Sequence, residues 1–204
     1  MVDKDFLDLV EHGTMKQGNN YGCGVILLDH NTGKILLAKR TDNHQWATPG
    51  GKVEIGETPK QGILRECKEE SNVKINSMIV YDYSAHTAPN GKNWLDFLFL
   101  SMDFDASNIK NQESEMEPFQ WFSIAEALQL DLFPPSRKGL ETAIELGILS
   151  ADSDVPYNEA YANTDGNGYF PGFNDCGATP CFNPYYTDTE GCSYSYVPNF
   201  IDWM

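Results

Sequence analysis

GKVEIGETPKQGILRECKEESNV, residues 51–73, is the stretch from which the rest of this 204-residue chain is read. It holds five glutamates, Glu54, Glu57, Glu66, Glu69 and Glu70, and one arginine, Arg65. On a helix, Glu66, Glu69 and Glu70 stand at i, i+3 and i+4, so their carboxylates share a face. Each like-charged pair costs about 0.2–0.5 kcal/mol unless something neutralises it. A solvated acidic face pairing with Lys68 and Lys74 is one solution. A hard divalent cation such as Mg²⁺, which takes oxygen ligands and shares its shell with water and phosphate, is the other. The helix itself is predicted by local chemistry. Thr58 and Gln61 form a capping box, and Pro59 suits the first helical position. Asn72 tolerates the left-handed conformation that ends a helix. Helix is therefore expected from near Pro59 to near Ser71, with Ile63, Leu64 and Cys67 turned away from the acids into a core.

The spacing decides between the two solutions. Gly51, Glu57, Arg65, Glu66, Glu69 and Glu70, with Cys67 and Val73 at apolar positions, follow the order of the Nudix box, GX5EX7REUXEEXGU, where U is a bulky apolar residue. Only Asn72 departs from a fixed position, where the family has glycine. The chain thus resembles MutT-like Nudix hydrolases. The resemblance implies an α/β fold, a mixed β-sheet sandwiched between α-helices, and a Mg²⁺-dependent pyrophosphohydrolase, with Mn²⁺ as the alternative ion. It implies Glu66, Glu69, Glu70 and the Gly51 carbonyl as metal ligands. It implies Glu66 or Glu69 as the base, with Arg65 holding a box glutamate in place and Glu57 helping to order the loop. A further metal ligand is expected from the acidic loop before an aromatic strand, with Glu115 chosen over Glu113 and Glu117. Arg40, Trp46 and Gly50 are the expected substrate contacts, although Trp46 suits a core equally well.

Composition narrows the partners. Fourteen basic against thirty acidic side chains give a net charge of −16, which disfavours a long nucleic acid but suits a small nucleotide that brings its own cation. No apolar run of about 18 residues and no basic-then-apolar start is present, so neither membrane span nor signal peptide is read and a cytoplasmic protein is expected. Cys23 and Cys67 lie in apolar contexts; Cys176, Cys181 and Cys192 lack paired knuckle spacing, so free thiols are expected rather than zinc.

Around the box, residues 3–12 carry Phe6, Leu7 and Val10 at helical spacing. Residues 20–29 and 34–40 read as a hairpin, and Gly22 and Gly24 within it mark either a close backbone approach or sheet curvature. Residues 73–87 form one or two strands, and Asn90-Gly91 is a turn leading to a buried strand over 94–104. Asp96 in that strand is expected to point outward. Another strand covers 119–122, Ser123 caps a short helix through Leu128, and Ser136 precedes a helix over 137–146 that stops at Gly147. The catalytic domain is expected over 1–150. Residues 151–204 differ: they hold eight acids, no Lys or Arg, and seven of the ten tyrosines. Asp165-Gly166-Asn167-Gly168 there lacks the glutamate of a calcium loop and reads as a turn. This extension is expected to be irregular and to dock on its own domain, form a homodimer or recruit a partner through its tyrosines.

Substrate choice stays open between two reactions. One is cleavage of nucleoside triphosphates, oxidised purine nucleotides included, to monophosphate and pyrophosphate, which the compact domain favours. The other is cleavage of ADP-ribose or dinucleotides, for which Pro89, sixteen residues past Val73, is the only sequence sign. A nucleotide-sensing module without catalysis is the reading of a different class, opposed by the intact Glu66, Glu69, Glu70 and Arg65.

Overall fold

Helix α1 (Lys4–His12) is capped by Asp3, whose carboxylate accepts the Phe6 N–H at 2.8 Å, and it buries Phe6 and Val10. It is followed by β1 (Asn20–Asp29), β2 (Lys34–Lys39), β3 (Trp46–Ala47), β4 (Gly50–Lys52), α2 (Pro59–Ser71), β5 (Lys74–Thr87), β6 (Asn93–Asp105), β7 (Gln120–Ser123), α3 (Ile124–Gln129) and α4 (Pro134–Glu145). The computed structural model describes residues 3–88, 90–110 and 115–151. The expectations placed on Pro89, Glu113 and residues 152–204, with their three cysteines, lie outside the described residues.

Strand β1 is the pivot of a seven-stranded mixed sheet. Its first part pairs in parallel with β6, from Asn20 opposite Trp94 to Leu27 opposite Ser101, and antiparallel with β4. Its end turns to β2, Leu28 facing Ile35. Strand β5 closes one edge against β6, while β3 and β7 both pair with β2. Because side chains alternate along a strand, β1 feeds two cores. Val25 and Leu27 join Phe6, Ile63, Cys67, Phe97 and Phe99 beneath α1 and α2. Ile26 and Leu28 join Leu98, Leu100, Ile124, Leu140 and Ala143 beneath α3 and α4. The helix–sheet–helix sandwich follows from that alternation. Among the described residues no helix is long and apolar enough to cross a membrane.

Helix α2 runs from Pro59 to Ser71 with both halves of the capping box formed, and Asn72 takes φ 59° as its left-handed cap. Three expectations are corrected. Leu64 is 37% exposed; each helical step rotates about 100°, which carries it off the Ile63–Cys67 face. Helix α4 begins at Pro134, earlier than expected, because prolines at its first positions preset the backbone. Ser136 is therefore inside the helix, with its hydroxyl accepting the Thr48 N–H at 3.1 Å. Asp96 points inward, only 7% exposed, because its parallel partner Gly22 has no side chain and leaves room for it. Residues 74–87 form one strand, bent by three register shifts against β6.

The α2 cap gives a direct test. Thr58→Ala should lower the free energy of unfolding by about 1 kcal/mol in urea titrations; an unchanged midpoint would show that the cap is not holding the helix.

Candidate active site

Arg65 gathers the box acids. Its Nε donates to Glu57 Oε1 at 2.8 Å, and its Nη2 to Glu57 Oε2 at 3.0 Å and to the Lys52 carbonyl at 2.8 Å. Its Nη1 donates to Glu66 Oε1 at 2.8 Å and to Glu69 Oε2 at 2.9 Å. One guanidinium thus ties α2 to β4 and to the loop between them. Glu57 extends the tie, since its Oε2 accepts the Glu54 N–H at 2.9 Å. The Arg65 hydrogen bonds hold the Glu57 carboxyl below the usual range, and Glu57, followed by Glu66 and Glu69, pushes the Arg65 guanidinium up. Arginine therefore supplies the neutralisation that lysines were considered for. It does so incompletely, with one positive charge against three carboxylates.

Glu70 lies on the inner flank of the same helix, 7% exposed, and its Oε2 accepts the Gly50 N–H at 2.9 Å. Gly50 has φ 152°, and a side chain there would run into the Cys23 carbonyl. A Cβ on Gly51 would sit 2.5 Å from Glu66 Oε2. The bare Gly51 thus lets Glu66 press against the backbone of β4, the bare Gly50 lets β4 lie close to β1, and Glu70 holds the Gly50 N–H, so carboxylate oxygens gather along β4 with excess negative charge. That donor set fits a hard divalent cation. Among the described residues no three acid, His or Cys side chains converge tightly enough to cage an ion alone.

A cavity of about 400 Å³ opens beside Gly50 and Gly51, on the α4 side of the sheet. The Arg40 guanidinium enters it, paired with Asp42 through Nε at 2.9 Å and Nη2 at 2.7 Å, and lying 4.7 Å from the centre of the Phe133 ring. The Asp42 hydrogen bond, with Glu70 and Glu115 nearby, holds Arg40 firmly protonated. The Glu115 carbonyl accepts both the N–H and the hydroxyl of Thr41, at 2.8 and 2.9 Å, which holds the Glu115 backbone next to the residue that follows Arg40. The Glu115 side chain is exposed, and the Glu117 N–H is tied to the Lys39 carbonyl at 2.7 Å. Trp46 sits elsewhere: its ring meets Phe122 edge-on at 4.9 Å in the α3–α4 core and is not part of the cavity wall.

Trp94 lines the cavity instead, together with His86 and Asp96. Asp96 Oδ2 is wholly buried, with His86 Nδ1 at 2.8 Å. Burial pushes its carboxyl up and His86 partly offsets that. The sequence reading missed these three; the acid among large apolar residues was the signal that could have found them.

The NUDIX domain model matches residues 18–143. The chain belongs to the Nudix family. It is 27% identical over 105 residues to the uncharacterised Nudix hydrolase YvcI of Bacillus subtilis, covering 50% of this chain and 65%, just under two thirds, of that relative. It is 33% identical over 90 residues to an 8-oxo-dGTP diphosphatase of Proteus vulgaris, covering 42% of this chain and 79% of that protein. Over 135 residues it is 28% identical to the asymmetrical bis(5'-nucleosyl)-tetraphosphatase of Rattus norvegicus, covering 58% of this chain and 89% of that one. The MutT Nudix hydrolase of Burkholderia pseudomallei superimposes with a TM-score of 0.56 at 27% identity, over 61% of this chain and 98% of the other. This protein is a Nudix hydrolase, a family that uses divalent metal ions.

The Arg65–Glu57 pair fixes a pH dependence. The folded Glu57 value is depressed, so its stabilisation is present above the unfolded value of about 4.3 and is lost as pH falls through the folded value. Glu57→Gln should therefore be less stable than wild type at pH 7, and the difference should shrink below about pH 4.3. A difference independent of pH in denaturant titrations would exclude the ion pair as its cause.

Proposed function

We propose that this hydrolase cleaves a phosphoric anhydride of a nucleoside diphosphate linked to a further group, with Mg²⁺ and with a nucleoside triphosphate, oxidised forms included, as the favoured substrate. Monophosphate and pyrophosphate are the products. The observation that carries the proposal is the Arg65 fork, which gathers Glu57, Glu66 and Glu69 on the helix whose Glu70 binds Gly50 at the cavity edge. Glu66, Glu69, Glu70 and the Gly51 carbonyl would hold the ion, with Glu115 as the ligand added from the neighbouring loop. Bound there, Mg²⁺ polarises phosphoryl oxygens and offsets charge on the leaving group. Glu66 or Glu69 accepts the proton of the attacking water, while Arg65 and Glu57 keep both carboxylates in place. Arg40 and the Gly50 backbone face the substrate from the cavity wall.

Similarity to the Proteus vulgaris 8-oxo-dGTP diphosphatase supports a triphosphate substrate. The rat bis(5'-nucleosyl)-tetraphosphatase supports the dinucleotide form of the second reading, cleavage of a dinucleotide or ADP-ribose. Catalysis is assigned to residues 1–150, with 151–204 as a separate extension, in a cytoplasmic protein that acts on a small nucleotide.

Product analysis tests the proposal. Purified protein with Mg²⁺ should release monophosphate and pyrophosphate from triphosphates, and Glu69→Gln and Glu70→Gln should each reduce kcat by at least about 100-fold while remaining folded. AMP released from ADP-ribose or diadenosine polyphosphates in preference to triphosphates would establish the second reading. Wild-type rates in either variant at saturating Mg²⁺ would overturn the ligand assignment.

A further inference from the structure

Asp96 stands apart from the box acids and has no role in the chemistry they supply. It projects from near the start of β6 into the cavity, on the sheet face opposite α2. Its Oδ2 is enclosed, and among the described residues its one close partner is His86 Nδ1 at 2.8 Å. Its Oδ1 lies over Gly22, where any side chain would collide with it. The bare glycine and the histidine therefore keep one carboxylate oxygen turned toward the cavity. A buried carboxylate with so few hydrogen bonds is costly unless a ligand supplies the missing donors. Aromatic and apolar side chains that suit a flat ring line the same cavity: Trp94, Tyr81, Leu98 and Ile26.

We infer that Asp96, positioned by His86, reads the nucleobase and selects an edge with two adjacent N–H donors, that of a guanine-type purine. An ionised carboxylate only accepts hydrogen bonds. Guanine presents N1–H beside its 2-amino group, so a donor bonded to Oδ1 is flanked by a second donor that adds to the attraction. Adenine sets its N1 lone pair beside the 6-amino group, and cytosine sets N3 beside its 4-amino group. Either places an acceptor against the carboxylate. Uracil offers a single N–H between two carbonyls. Oxidation of guanine at C8 leaves the selected edge intact, so this inference deepens the triphosphate reading and rests on it for the substrate class.

Binding of monophosphates tests the base reader independently of hydrolysis, so its failure is separable from failure of the triphosphate reading. Calorimetric titration of the full chain with GMP, IMP, AMP and dGMP should give GMP the tightest binding. The loss should be about tenfold or more for IMP, which lacks only the 2-amino group, and for AMP. Asp96→Asn, whose amide offers a donor beside an acceptor, should collapse the GMP-to-AMP ratio. His86→Ala should lower that ratio in part, and His86→Gln, which restores a donor, should recover it. Equal binding of GMP and IMP by the wild-type protein would overturn the inference without requiring any variant to fold. So would an unchanged ratio in folded Asp96→Asn, or a loss with dGMP that Asp96→Asn abolishes, since Asp96 would then be contacting the sugar.

Discussion

The Arg65 guanidinium is the constraint on which the site depends. Its five N–H donors satisfy Glu57, Glu66, Glu69 and the Lys52 carbonyl together, joining the end of β4, the following loop and α2. Lysine could supply the charge but not the planar fork. Without that fork the three carboxylates would repel, and the loop would lose the bonds that set its path. With it, Glu57, Glu66 and Glu69 are tied to one cation and still carry excess negative charge.

The sheet places this acidic helix face beside the cavity. Strand β4 runs antiparallel to β1, with Gly50 and Gly51 opposite Gly24 and Cys23. The absence of a side chain at Gly51 brings Glu66 against the strand from the α2 side, where Glu70 also accepts the Gly50 N–H, while the cavity approaches from the α4 side. The box acids and the cavity thus lie on opposite faces of one thin glycine strand. Cys23, buried in the core with its thiol pushed up by burial, is part of that packing and remains a thiol.

Local features were legible in the sequence because their causes are local. The bounds of α2 follow from Thr58, Gln61, Pro59 and Asn72, all within a turn of its ends, and the box spacing identified the acids. Features made by distant partners were not legible. Asp96 turns inward because Gly22, far away in sequence, lies beside it in a parallel pair. Ser136 falls inside a helix and bonds Thr48 rather than capping. Trp46 packs on Phe122 because β2 brings β3 and β7 to the same end of the sheet. Glu115 is tied through its carbonyl to Thr41, a long-range link that no local pattern encodes.

Steady-state kinetics of Arg65→Lys, with a parallel unfolding curve, test the central claim most directly, because that change keeps the charge and removes the fork. A fall in kcat of about 10–100-fold in a folded protein, with a smaller change in KM, is the result that the fork requires. Wild-type kcat in folded Arg65→Lys would contradict it, since the glutamates would then be held in working geometry by something other than the guanidinium.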